Sequence, residues 1–117
     1  MQDYKNLDVW VLAVVLSTDV YKVTVSFPKT EMYGLVDQMK RSAISIASNI
    51  AEGSGRTTRK DFAHFLSIAN GSACELETQL IISQRIGFLK ESDLNKLSVK
   101  ITRIRMMITK FRQTLLK

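Results

Sequence analysis

One histidine, one cysteine and a concentration of cations near the C-terminus are the side chains of this 117-residue sequence that could do chemistry. His64 and Cys74 could act as an imidazole–thiol pair, the base drawing off a proton to leave a nucleophilic thiolate. Cys74, however, follows Gly71, Ser72 and Ala73. A run of small residues suits close packing, and Cys74 reads as a buried small residue. A zinc centre needs about four ligands, and the carboxylates near His64 and Cys74 lack metal-binding spacing, so no metal is expected. The stretch Gly53-Ser54-Gly55-Arg56 has the glycines of a phosphate-cradling loop without the P-loop spacing or its lysine, and it reads as a helix stop. No acid, base and nucleophile assemble, so a non-enzymatic protein without a cofactor is expected.

The cations are more informative. Residues 1–89 carry nine basic and nine acidic side chains, whereas residues 90–117 carry eight basic ones against Glu91 and Asp93, so the last segment holds the whole net charge of +6. Lys96, Arg103, Lys110 and Lys117 recur every seven residues with Lys100 nearby, and Arg105 and Arg112 flank the other edge of the same helix. Such a face can simply be solvated, loading a helix C-terminus favourably. It can equally track phosphates, a reading that gains from the lack of acidic residues after Asp93. The candidate phosphate contacts are Lys96, Lys100, Arg103, Arg105, Lys110 and Arg112. No row of aromatic residues accompanies them, so sequence-specific reading of single strands has no support.

A second constellation is neutral or paired. Gln38, Arg41, Ser45, Asn49 and Glu52 fall three or four residues apart, beside an apolar row rather than opposite it. They are expected to form a hydrogen-bonded contact with Glu75 and Gln79 of the next helix or with another subunit, ordering an interface rather than reacting.

The elements that must position these groups follow from apolar periodicity. Met32, Val36, Met39, Ala43, Ile46 and Ile50 step by four and three, as do Phe62, Leu66, Ala69, Ala73, Leu76 and Leu80. Leu94, Leu97, Ile101, Ile104, Ile108, Phe111 and Leu115 do so without a miss, the pattern of a left-handed packed bundle. The valine-rich stretch Leu7 to Phe27 would suit strands as well, but Val9, Ala13, Leu16, Val20, Val23 and Phe27 keep the helical period. Leu7, Trp10, Val14 and Tyr21 add an apolar row on another face, which asks for a second neighbour. Pro28 stops the first helix, with Thr30 a candidate cap for a second helix running from Met32 to the Gly53–Gly55 break. Thr58 to Asp61 has the form of a capping box opening the third, which runs to Gly87, and Ser92 or a neighbour opens the fourth. Gly71, in mid-helix, is expected to admit a close backbone approach. Four seams of similar length joined by short connections predict an all-α, up-down-up-down antiparallel four-helix bundle.

The run Tyr33-Gly34-Leu35, Gln38, Arg41, Ser45-Ile46 and Asn49-Ile50-Ala51-Glu52-Gly53 resembles the signature of the small bacterial four-helix bundle proteins named after the 23S ribosomal RNA intervening sequences. Leu7, Trp10, Phe27-Pro28, Ile68-Ala69, Gly71-Ser72 and Glu75 to Leu80 extend the resemblance over nearly the whole chain, most weakly over the last quarter. The chain departs from that pattern at Val11-Leu12, where polar residues are usual after the Trp, and at Ala47, where a proline is common. The resemblance decides for a helix over residues 7–27. It implies members that form ring-shaped homopentamers, and relatives serving diversity-generating retroelements that bind RNA and a reverse transcriptase through a basic surface. Carried here, it implies subunit contacts through the first two helices and an RNA-binding oligomer. The alternative is a scaffold for an acidic protein partner.

Size and composition set the outer bounds. The length suits one domain spanning residues 1–117. The apolar fraction is 45%, with one Pro and five Gly, as in an ordered globular chain. One cysteine allows no internal disulfide, and Asp3 and Asp8 stand where a signal peptide would be basic, so a cytoplasmic location is expected. Val9 to Leu16 is apolar but far short of the roughly 20 residues of a membrane span.

Overall fold

The computed structural model describes residues 3–117. Its four helices are α1 (Asp8–Thr24), α2 (Leu35–Ser54), α3 (Arg59–Arg85) and α4 (Glu91–Leu115), with single 3-10 turns at Tyr4–Asn6 and Lys29–Glu31. No strand occurs among the described residues. Each helix packs on the next and α1 closes against α4, so the connections turn the chain back at every step and the result is an antiparallel up-down-up-down bundle. It measures 44 × 23 × 20 Å.

The four seams meet at the centre. Leu16, Met39, Ile46, Leu66, Leu76 and Ile104 are among the fully buried side chains, and the buried set is one continuous core. Each such side chain contributes about 1.5–3 kcal/mol relative to exposure, which is why the apolar period outweighs the poor intrinsic helix propensity of the valines in α1. On α1 the inner face takes Thr24 where Val23 was expected. The Thr24 hydroxyl donates to the carbonyl of Val20 at 2.9 Å, so it enters the core already satisfied, and Val23 packs at its margin.

The helix ends correct the sequence reading in three places. α2 begins at Leu35, because Pro28 launches the 3-10 turn Lys29–Glu31 that holds Thr30; Gly34, without a side-chain bond, stands at the N-cap and Met32 is left exposed. Gly53 lies inside α2 and Gly55 has φ −86°, so the helix stops here without the left-handed glycine that commonly ends one. Gly53 is needed for space. A Cβ at this position would stand 2.7 Å from Phe65 Cβ and 2.9 Å from Phe62 Cδ1 of α3. Gly71 shows the reverse, since it is exposed and a Cβ there would meet nothing within 4 Å. The close approach expected at Gly71 occurs at Gly53.

Two ends follow their sequence signals. Asp61 N–H donates to Thr58 Oγ1 at 3.0 Å, capping α3. Gly87, at φ 88°, ends it in a Schellman arrangement, with Phe88 N–H on Ser83 O and Gly87 N–H on Gln84 O.

Candidate functional site

α4 is positioned by its Leu97, Ile101, Ile104 and Ile108 seam and by Glu91 and Asp93, whose charges favour its N-terminal turn. The six candidate cations then separate into two kinds. Lys96, Arg103 and Lys110 are exposed and make no ion pair or side-chain hydrogen bond among the described residues. The other three are engaged. Lys100 forms an ion pair with Asp19 of α1, and Arg105 donates from Nε to Asn70 Oδ1 at 3.1 Å. Arg112, half-buried, donates from Nε to the carbonyl of Ala63 at 3.1 Å. The flexible Lys96, Arg103 and Lys110 thus lie on one side of α4, while the two arginines are braced against α3 on the other.

Between these rows runs a stripe that the sequence reading did not single out. Asn95, Val99, Thr102, Met106, Thr109 and Gln113 step by four and three like the seam, and all six are exposed. Met106 is 68% exposed, because it projects opposite Ile104 and Ile108, whereas Met107 packs at the seam margin. The signal that could have found this stripe was the heptad step itself, applied to the uncharged residues between the two cation rows.

The α2–α3 polar network is differently wired from the expectation. Arg41 turns to Asp37 on its own helix, at 2.8 Å, and Glu52 to Arg56 at 3.0 Å, both exposed pairs of the i,i+4 kind. The links across the helix pair are Ser42 Oγ to Glu75 Oε1 at 2.6 Å and Ser45 Oγ to Ser72 Oγ at 2.8 Å. Asn49 donates back to Ser45 Oγ and to its carbonyl. Gln38 is exposed, and Gln79 is buried with its Oε1 lacking a partner among the described residues. Short hydroxyls reach across a close helix contact that a guanidinium would overfill, so Ser42 and Ser72 do the bridging intended for Arg41.

Cys74 and His64 form no catalytic pair. Ten residues on one helix put them about 15 Å apart along its axis, and Cys74 is half-buried rather than enclosed. Among the described residues no three His, Cys, Asp or Glu side chains gather as a metal centre would. Nor is any helix long and apolar enough to cross a membrane.

Fold and surface together define a class: small antiparallel four-helix bundles whose last helix presents cations outward. Comparison with known proteins gives the particular family. The family model described as 23S rRNA-intervening sequence protein matches residues 5–110, and the chain belongs to that family. A solved structure with the same fold is a protein of unknown function from the S23 ribosomal protein family of Bacteroides thetaiotaomicron, which it resembles with a TM-score of 0.80. The match covers 89% of this chain and 97% of that one at 23% identity, which speaks for fold alone. No curated protein matches the chain.

Proposed function

We propose that this chain is a non-enzymatic, cytoplasmic, homo-oligomeric binding protein that holds RNA against α4. The observation that carries this reading is the row Lys96, Arg103 and Lys110, three cations on one exposed helix face that form no ion pair among the described residues, with Asp19 and Asp93 near Lys96 alone. Surface cations in ion pairs gain little from a polyanion, because the partner must first be displaced; unpaired ones release the counterions of the phosphates they meet. RNA as the polyanion and a homopentamer as the assembly are both what the resemblance implies. Lys100 contributes less than the sequence suggested, being held by Asp19, while Arg105 and Arg112 add the guanidinium nitrogens that their bonds to α3 leave over.

Fluorescence anisotropy against salt tests this reading. Three unpaired cations plus the two braced arginines give an expected slope of log K on log salt of roughly −2 to −4. The K96E/R103E/K110E variant is expected to lose binding and to keep its helical circular dichroism. Binding by that variant at wild-type strength would overturn the reading.

A second reading, a scaffold for an acidic protein partner, has one observation in its favour. Around the α1–α2 connection, Val25, Met32 and Tyr33 are exposed beside a cleft of about 310 Å³ that contains Lys29 and Lys40 and no carboxylate. Purification from cells with and without nuclease separates the two, since a partner that survives nuclease supports the scaffold.

A further inference from the structure

We propose that α4 lies along the shallow minor groove of an A-form RNA duplex, its uncharged ridge against the sugar 2′-hydroxyls and its two cation rows against the two phosphate strands. This inference rests on the RNA reading above and narrows it to one kind of RNA.

The outermost line of α4, from Asn95 to Gln113, contains no charge, although α4 carries most of the net charge of the protein. A helix whose outer face is merely solvated mixes charged and polar residues there. Here the apex is three uncharged hydrogen-bonding types with Val99 and Met106, 69% and 68% exposed. The cations stand to either side. A shallow depression of about 590 Å³ on this face shows the arrangement directly: Thr102, Met106, Thr109 and Gln113 line it together with Arg105 from one row and Lys110 from the other. Seven-residue spacing puts Lys96, Arg103 and Lys110 about 10.5 Å apart along the axis, and the two rows flank a rod about 10–12 Å thick.

A single strand offers one line of phosphates, which one row would satisfy while the other stayed idle. A duplex offers two lines facing each other across a groove. The choice of groove follows from shape. α4 is flanked by α1 and α3 in a body 23 × 20 Å in cross-section, so only its outer face is open to a partner. Such a body cannot sink into a B-DNA major groove about 12 Å wide and 8.5 Å deep. The minor groove of A-form RNA is wide and shallow and displays 2′-hydroxyls, each both donor and acceptor. The Thr102 hydroxyl and the Asn95 and Gln113 amides can meet groups of that kind without specifying a base, and Thr109 Oγ1, which donates to the Arg105 carbonyl at 3.0 Å, adds acceptor lone pairs. Arg105 and Arg112 are held in place before anything binds, by Asn70 and by the Ala63 carbonyl.

The test is anisotropy at one fixed salt concentration with four probes: a 20-base-pair RNA duplex, the same duplex 2′-O-methylated, the DNA duplex of that sequence, and one unstructured RNA strand. The unmodified RNA duplex is expected to bind at least tenfold tighter than the other three. In T102A/T109A/Q113A that preference is expected to collapse to within twofold with the salt slope unchanged. Equal binding of duplex and single strand, or a preference that persists in the alanine variant, would overturn the minor-groove assignment. Where K96E/R103E/K110E still abolishes binding in that case, the basic-face reading survives on its own. A wild-type protein that binds none of the four probes overturns both. Circular dichroism melts establish that each variant is folded.

Discussion

Two glycines in helix interiors predict opposite responses to the same substitution. Gly53→Ala forces a Cβ into Phe65 Cβ and the Phe62 ring, and Phe62 is itself buried, so α2 and α3 must part. Overpacking of this kind costs about 1–3 kcal/mol. Gly71→Ala meets open space on an exposed helix face and should add about 0.5–1 kcal/mol by restricting the unfolded chain. Urea unfolding of the two variants beside wild type reads the signs directly, and equal effects would refute the assignment of Gly53 as the contact glycine. Gln79 offers a third residue-scale case. Its Oε1 is buried without a partner among the described residues, and leaving such a group unsatisfied costs about 1–3 kcal/mol. Gln79→Met, close in volume, should therefore raise stability by about 1 kcal/mol; a loss would mean that the oxygen is satisfied in solution.

Among the elements, α2 and α3 share the most extensive contact and α1 and α4 the least. Local opening follows such differences, since segments with fewer buried contacts open at lower free energy. Native-state hydrogen exchange should therefore find the α2 and α3 core amides exchanging only through global unfolding, with α1 and α4 amides released earlier. Uniform protection would contradict this ordering. The same elements show what was legible beforehand. The seams of α2, α3 and α4 could be read because burial repeats with the helical period, and Thr58 and Gly87 because their end conformations have a local chemical cause. α1 could not be read from period alone, since its valines fit a strand equally well, and the resemblance to a known family decided it. What stayed hidden depended on neighbours. Gly53 and Gly71 look alike in sequence, and only the position of Phe62 and Phe65 on α3 separates them. Arg41 looked like a bridge to α3 until Asp37 on its own helix took it up, and half the candidate cations were spent on partners as remote as Asp19 and Ala63.

Over the whole molecule, every helix exposes some apolar surface: Val99 and Met106 stand among the cations of α4, Ile68, Ile81 and Ile82 on α3, Ile44 on α2, and Val11 and Val15 on α1 at 45% and 41%. Exposed apolar side chains on a small bundle are costly in water and mark candidate contact surfaces, and the family resemblance points to those of α1 and α2. α1 and α2 form the side of the bundle away from the α3–α4 pair, so subunits joined through α1 and α2 would leave every α4 ridge outward. An assembly of that form repeats a weak phosphate-binding face several times on one particle, and linked sites gain 10²–10⁴ in apparent affinity when the ligand reaches more than one. V11E/V15E should therefore have two linked effects. Sedimentation velocity over a concentration series should show wild type as an oligomer and the variant as a folded monomer. Affinity for a long RNA should fall by at least tenfold in the variant, while affinity for a duplex short enough to touch a single α4 should stay within twofold of wild type. A wild-type chain that sediments as a monomer at every concentration would remove the basis for both effects. An oligomer that survives V11E/V15E would move the subunit contact to another face.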